Sequence, residues 1–225
     1  MVAKVGGLWD ALLSEGRRWW LFTCSDFHNL RSDFLPGEYN KTYLFLPDTI
    51  EPMRLADYLR TGNCFVVGGN FISGARVNLN GACMGQTLEA QAGEALQLEI
   101  AVTENTASPL RVDHIDLIAG EVHPKAAPGT EAYRCDSVRT TKVIARFTEK
   151  DWKRDSDGTI RIQYAVKPSS DYTYYRLRGT HLVPGTPGET DVAGNPLPDA
   201  GLNTEEKAMN DQWFYTNPVF CKIKK

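Results

Sequence analysis

Apolar positions along the chain fall into two textures. Up to Gly68, Leu8, Trp9, Leu12 and Leu13 recur at helical spacing and predict a helix of roughly three turns that stops at Gly16. The run Trp19-Trp20-Leu21-Phe22-Thr23-Cys24 predicts a buried strand. A polar loop through Pro36-Gly37 follows, and then a second strand over Thr42–Leu46. Pro52 fits the first turn of a helix reaching Arg60; Gly62-Asn63 ends it, and Cys64-Phe65-Val66-Val67 predicts a third strand. Helix and strand alternate here, which is an α/β texture.

Beyond Gly68-Gly69 the period changes to two. Leu96, Leu98, Ile100 and Val102 alternate with polar or small residues, and Ile160, Ile162, Tyr164 and Val166 do the same. Further strands are expected at Val77–Leu79, Asp113–Ile118, Lys142–Phe147, Thr173–Arg178 and Val219–Ile223. Asp155-Ser156-Asp157-Gly158 reads as a hairpin turn, and Val183–Met209 as a long surface loop rich in Gly and Pro. Short strands between Gly/Pro turns predict an antiparallel sandwich. The expectation is an α+β chain, with a short α/β piece over residues 1–68 and a β-sandwich over residues 69–225.

Composition narrows the function classes more than the fold. Across 225 residues, 42% hydrophobic and 24% charged, the core is ample for independent folding. A net charge of -3 without a basic run argues against nucleic acid or an acidic membrane as partner. No apolar stretch approaches a membrane span, and nothing near Met1 resembles a signal peptide. Five scattered cysteines without a CxxC pair predict free, mostly buried thiols and leave the compartment open.

Chemistry concentrates at Asp26 and His28. At the end of an extended run, residues i and i+2 project to one side, so a carboxylate and an imidazole can converge there. That pair suits a divalent transition metal, whereas a tight site needs three or four ligands. Other candidates are weaker. Cys24 near His28 suggests a thiol nucleophile without an orienting third group. Asp155-x-Asp157-Gly158 hints at calcium but lacks the distal glutamate of an EF-hand loop. Arg176 and Arg178 share a strand face that could meet a phosphate, although an exposed sheet face is the default. Tyr172, Tyr174 and Tyr175 could stack on a sugar.

The segment Gly16-Arg17-Arg18, the apolar run and Cys24-Ser25-Asp26-Phe27-His28-Asn29 resemble the last metal-ligand motif of PHP-domain (polymerase and histidinol phosphatase-like) phosphoesterases. Pro36-Gly37, Thr42-Tyr43 and Leu59-Arg60-Thr61-Gly62-Asn63-Cys64-Phe65-Val66 follow in the same order. Ala145-Arg146-Phe147-Thr148, Tyr175-Arg176-Leu177-Arg178-Gly179, Pro187-Gly188-Glu189-Thr190-Asp191 and Trp213-Phe214-Tyr215-Thr216-Asn217-Pro218 resemble the β extension of a bacterial group of these proteins. The resemblance implies a remnant of a distorted (β/α) barrel over residues 1–68. It also implies hydrolysis of a small phosphoester by water activated on zinc, manganese or iron. Only Asp26 and His28 match ligand positions; the family's His-x-His motif and middle ligands have no counterpart. The chain reads as the C-terminal portion of such an enzyme, inactive alone and prone to self-associate through an exposed barrel edge. The alternative is a non-catalytic β-sandwich interaction module.

Overall fold

The computed structural model describes residues 2–25, 27–28, 39–197 and 213–224. Two β-sheets face each other across a shared core. The larger has eight strands among the described residues: β1 (Lys41–Leu44), β2 (Cys64–Val67), β5 (Thr87–Gln91), β7 (His114–Glu121), β8 (Lys142–Phe147), β11 (Tyr172–Thr180), β12 (Trp213–Thr216) and β13 (Val219–Lys224). The smaller holds β3 (Ile72–Leu79), β4 (Ala82–Cys83), β6 (Leu96–Glu104), β9 (Lys153–Arg154) and β10 (Thr159–Val166), in the order β4-β3-β6-β10-β9.

The period-two pattern sets the small sheet. β6 buries every second residue, and it pairs antiparallel with β10 so that Ile100 meets Ile162 and Val102 meets Ile160. These side chains face Ile115, Leu117, Tyr175, Leu177, Phe214 and Val219 of the large sheet in one hydrophobic core. Asp155 to Gly158 turns β9 into β10: the Asp155 N–H donates to the Thr159 carbonyl, and Gly158 takes φ +82. Both carboxylates of that turn are engaged within it, Asp155 with Arg161 and Asp157 with the Thr159 N–H, which leaves the turn a structural role.

The expected remnant of a PHP-type (β/α) barrel is not present. Among the described residues strand accounts for 39% and helix, 3-10 turns included, for 10%, with two short α-helices, α1 (Leu8–Ser14) and α2 (Leu55–Arg60). A barrel of that type needs parallel strands joined by covering helices. Here β2 is antiparallel to β1 on one side and to β12 on the other, so strands from before residue 68 and from the end of the chain belong to one sheet. The one parallel pairing among the described residues, β13 with β5, lies at another edge. Helix α2 follows a 3-10 turn at Pro52–Arg54 and buries none of its residues.

The run Trp19 to Cys24 is not a strand either. Its backbone groups find side chains rather than a neighbouring strand: the Leu21 N–H donates to Asn217 Oδ1 (2.7 Å) and the Thr23 N–H to Thr42 Oγ1 (2.9 Å). The Thr42 hydroxyl in turn donates to the Thr23 carbonyl. Residues 2–25 thus form a strap across the outer face of the large sheet. Helix α1 is its helical part, shorter than predicted. Gly16 (φ +67) ends it as expected, and Trp9 and Leu13 pack on Tyr174 and Phe220.

Candidate functional site

The strap explains why β11 is buried on both faces. Its inner side chains enter the common core, and its outer ones, Tyr174, Arg176 and Arg178, lie under the strap. The expectation of an exposed Arg face is therefore corrected: Arg176 is 0% and Arg178 1% exposed. Asp10 of α1 meets Arg176 in a fork, Nε at 2.8 Å and Nη2 at 2.7 Å. The same carboxylate accepts the Tyr174 hydroxyl and the Gly6 N–H. Asp116 of β7 serves both Arg178 and Arg146, and Arg178 also reaches the Ala3 carbonyl and Asn195 Oδ1. Arg146 donates to the Ala193 carbonyl in the loop after β11. Burial lowers the affinity of Arg178 for its proton, against which the Asp116 carboxylate acts. These guanidiniums clamp the strap and the 183–197 loop to the sheet and are not open to a phosphate. The tyrosine platform is likewise closed, since Tyr174 and Tyr175 are fully buried.

At its far end the strap leaves the sheet and turns to solvent. Trp20 donates its indole N–H to the Arg60 carbonyl, while Trp19 (60%), Phe22 (44%) and Phe27 (44%) stay exposed. Ile50, Met53 and Leu55 around the uncovered α2 are exposed too, so apolar side chains concentrate in residues 19–55. His28 sits exposed at this end. Asp26 lies outside the described residues, so the Asp26–His28 convergence has no distance to report. Among the described residues no group of three His, Cys, Asp or Glu side chains could hold a metal ion. The other histidines lie apart from His28, in β7 or just after a strand. His114 Nδ1 lies 2.7 Å from Asp113 Oδ1, His123 faces Glu121, and His181 lies edge-on to Phe71 with its pKa lowered by burial.

Cys24 is exposed, as is Cys135, whereas Cys64 and Cys221 are buried. The expectation of mostly buried thiols thus holds for only part of the set. Burial pushes the Cys64 thiol up to about 11, although the Asn217 carboxamide 3.0 Å away pulls it down. A thiol in that state is a poor nucleophile near neutrality.

Beside the strap, a cleft of about 310 Å³ opens on the outer face. Leu21 and Phe22 form one wall, and Val66, Trp213 and Tyr215 line the sheet side. No sequence signal marked this cleft, because its two walls come from residues almost two hundred positions apart. The arginine clamp did leave a trace: Asp116, Arg176 and Arg178 interrupt otherwise apolar strands with opposite charges. No helix among the described residues is long and apolar enough to cross a membrane. Comparison with protein-family models, curated proteins and solved structures gives no match to this chain.

Proposed function

We propose that this chain is a β-sandwich module serving a metal-dependent phosphoesterase of the PHP type. On this reading it presents Asp26 and His28 to a metal site whose remaining ligands come from an adjoining catalytic surface. The carrying observation is the far end of the strap. A segment anchored to the sheet by Asn217 and Thr42 leads to an exposed His28, and Trp19, Phe22 and Phe27 along it, with Met53 before α2, are exposed as well. Apolar surface of this kind is covered in a working assembly, and the ligand motif emerges inside it. In the completed site the metal would activate water and neutralise the phosphoryl oxygens. The chain's own share is to supply the His28 imidazole and the Asp26 carboxylate as ligands.

Nuclear magnetic resonance of the purified chain tests this. Mn²⁺ at millimolar concentration should broaden the signals of His28 and its neighbours while sparing His114, His123 and His181, and His28→Ala should remove the effect. Hydrolysis of bis(4-nitrophenyl) phosphate by the chain alone in manganese, zinc or iron should stay at background. Absence of broadening at His28 overturns the ligand assignment. Stoichiometric tight metal with turnover lost in Asp26→Ala overturns the shared site.

A second reading is a non-catalytic interaction module. It is favoured by α2, which buries none of its residues and so offers a ready docking ridge beside the exposed strap. Corner substitutions such as Met53→Asp would then abolish partner binding, while Asp26→Ala and His28→Ala would leave it unchanged.

A further inference from the structure

We infer that the junction of the strap with β5 and β13 is an oxyanion site that takes the phosphate group of a small molecule. It lies on the outer face of the large sheet, needs no metal and stands independently of the Asp26–His28 reading. Arg18 is its centre. The guanidinium stacks on the Phe220 ring at 3.8 Å, and its Nη2 donates to the Thr87 hydroxyl at 2.6 Å and the Tyr172 hydroxyl at 3.3 Å. No carboxylate among the described residues pairs with it. The ring and the two hydroxyls fix the side chain, so an incoming anion meets a guanidinium whose freedom is already spent.

Every side chain around Arg18 is left with a donor to offer. Both hydroxyls accept from the guanidinium, so each keeps its own proton for a further acceptor, and neither finds one among the described residues. Lys222 adds a second cation. It lies opposite Tyr172 in the β11–β13 ladder and two residues on from Phe220, hence on the same face. The carboxylate beside it, Glu89 on β5, is bonded instead to Lys224 at 2.9 Å, although Lys222 also helps to hold Glu89 ionised. Two cations and two hydroxyl protons thus face outward, and Arg18 and Lys222 are both exposed to an incoming ligand. A phosphate group carries three strong acceptor oxygens and up to two charges, which matches this set; a carboxylate has two oxygens and one charge. The planar guanidinium fork suits phosphate geometry as well.

The test follows the Arg18 Nε–H resonance of the ¹⁵N-labelled chain in metal-free buffer, assigned by its loss in Arg18→Gln. Inorganic phosphate and glycerol 3-phosphate should each shift it saturably with a dissociation constant of about 1 mM, and acetate should bind about tenfold more weakly. Lys222→Gln changes an exposed side chain and should weaken phosphate about tenfold. Tyr172→Phe keeps the ring and every charge and should weaken it about threefold through the lost hydroxyl. Lys153→Gln, on the small sheet, should leave the affinity unchanged. No saturable shift with either phosphate overturns the inference. So does an affinity for acetate equal to that for phosphate, or one that Lys222→Gln and Tyr172→Phe leave as it is in the parent chain.

Discussion

Removing the Asp10 carboxylate should be the most damaging single change on the outer face. Its side chain and that of Arg176 are both 0% exposed, and two of the carboxylate's four hydrogen bonds come from the guanidinium. The Trp9 ring covers that guanidinium at 4.7 Å, so water cannot replace the lost partner. Asp10→Ala strands a buried cation, the Gly6 N–H and one bond of the Tyr174 hydroxyl. Breaking a buried pair from one side costs about 3–5 kcal/mol, a large part of a total stability of roughly 5–15 kcal/mol. Urea unfolding followed by circular dichroism should show the loss as a lowered midpoint. The paired change Asp10→Leu with Arg176→Met should recover most of it, because no unpaired charge is left in the double variant. A loss below about 1 kcal/mol in Asp10→Ala, with amide protons of α1 still protected, would refute the argument. So would a double variant as unstable as the sum of its singles.

Three further outcomes follow from the same geometry. Asn217→Ala removes the carboxamide that holds Leu21 N–H and Cys64 Sγ, and should cost about 1–3 kcal/mol by urea titration while raising hydrogen exchange at Leu21. Gly85 takes φ +83, and a Cβ there would collide with the Thr61 carbonyl; Gly85→Ala should therefore lower the thermal midpoint, with a cost above about 1 kcal/mol. Burial holds the folded pKa of His181 below its ordinary value, so on acidification the unfolded state takes up the proton first. Stability should be full above about pH 6.5 and fall as pH drops through that value toward the folded pKa, by at most about 1.4 kcal/mol per pH unit. His181→Gln should lack this part of the slope in urea midpoints measured between pH 7 and 5.

Legibility in the sequence followed the number of faces an element exposes. β6 and β10 have one wet face, so their alternation located them within a residue or two. β8 appeared at Lys142–Phe147, as expected. β5, β4 and β9 were missed because Thr87–Gln91 lacks alternation and the other two span only two residues each. β12 was missed for a different reason: Trp213 to Thr216 is buried on both faces and so carries no period. The α/β texture before Gly68 misled because helices and strands did alternate. Pairing direction is not written in that alternation, and β1 and β2 turned out antiparallel.

The same limit governed the candidate site. Asp26 and His28 were visible as a spacing, whereas the strap that carries His28 was not, because an apolar run predicts burial without saying what satisfies its backbone. Trp19 to Cys24 has strand composition but no strand beside it; its N–H groups are taken by Asn217 and Thr42, side chains from elsewhere in the chain. An element satisfied in this way crosses a sheet instead of joining it, and its side chains need not alternate between core and solvent. That is why Phe22 can line the cleft while remaining nearly half exposed, and why Trp19 reaches solvent beside a buried neighbour sheet. The charged clamp follows from the same geometry. A strap without ladder hydrogen bonds needs other anchors, and the Asp10–Arg176 fork with the Arg178 bond to the Ala3 carbonyl supplies them. Arginines that the spacing assigned to an exposed strand face are instead what keeps the strap in place.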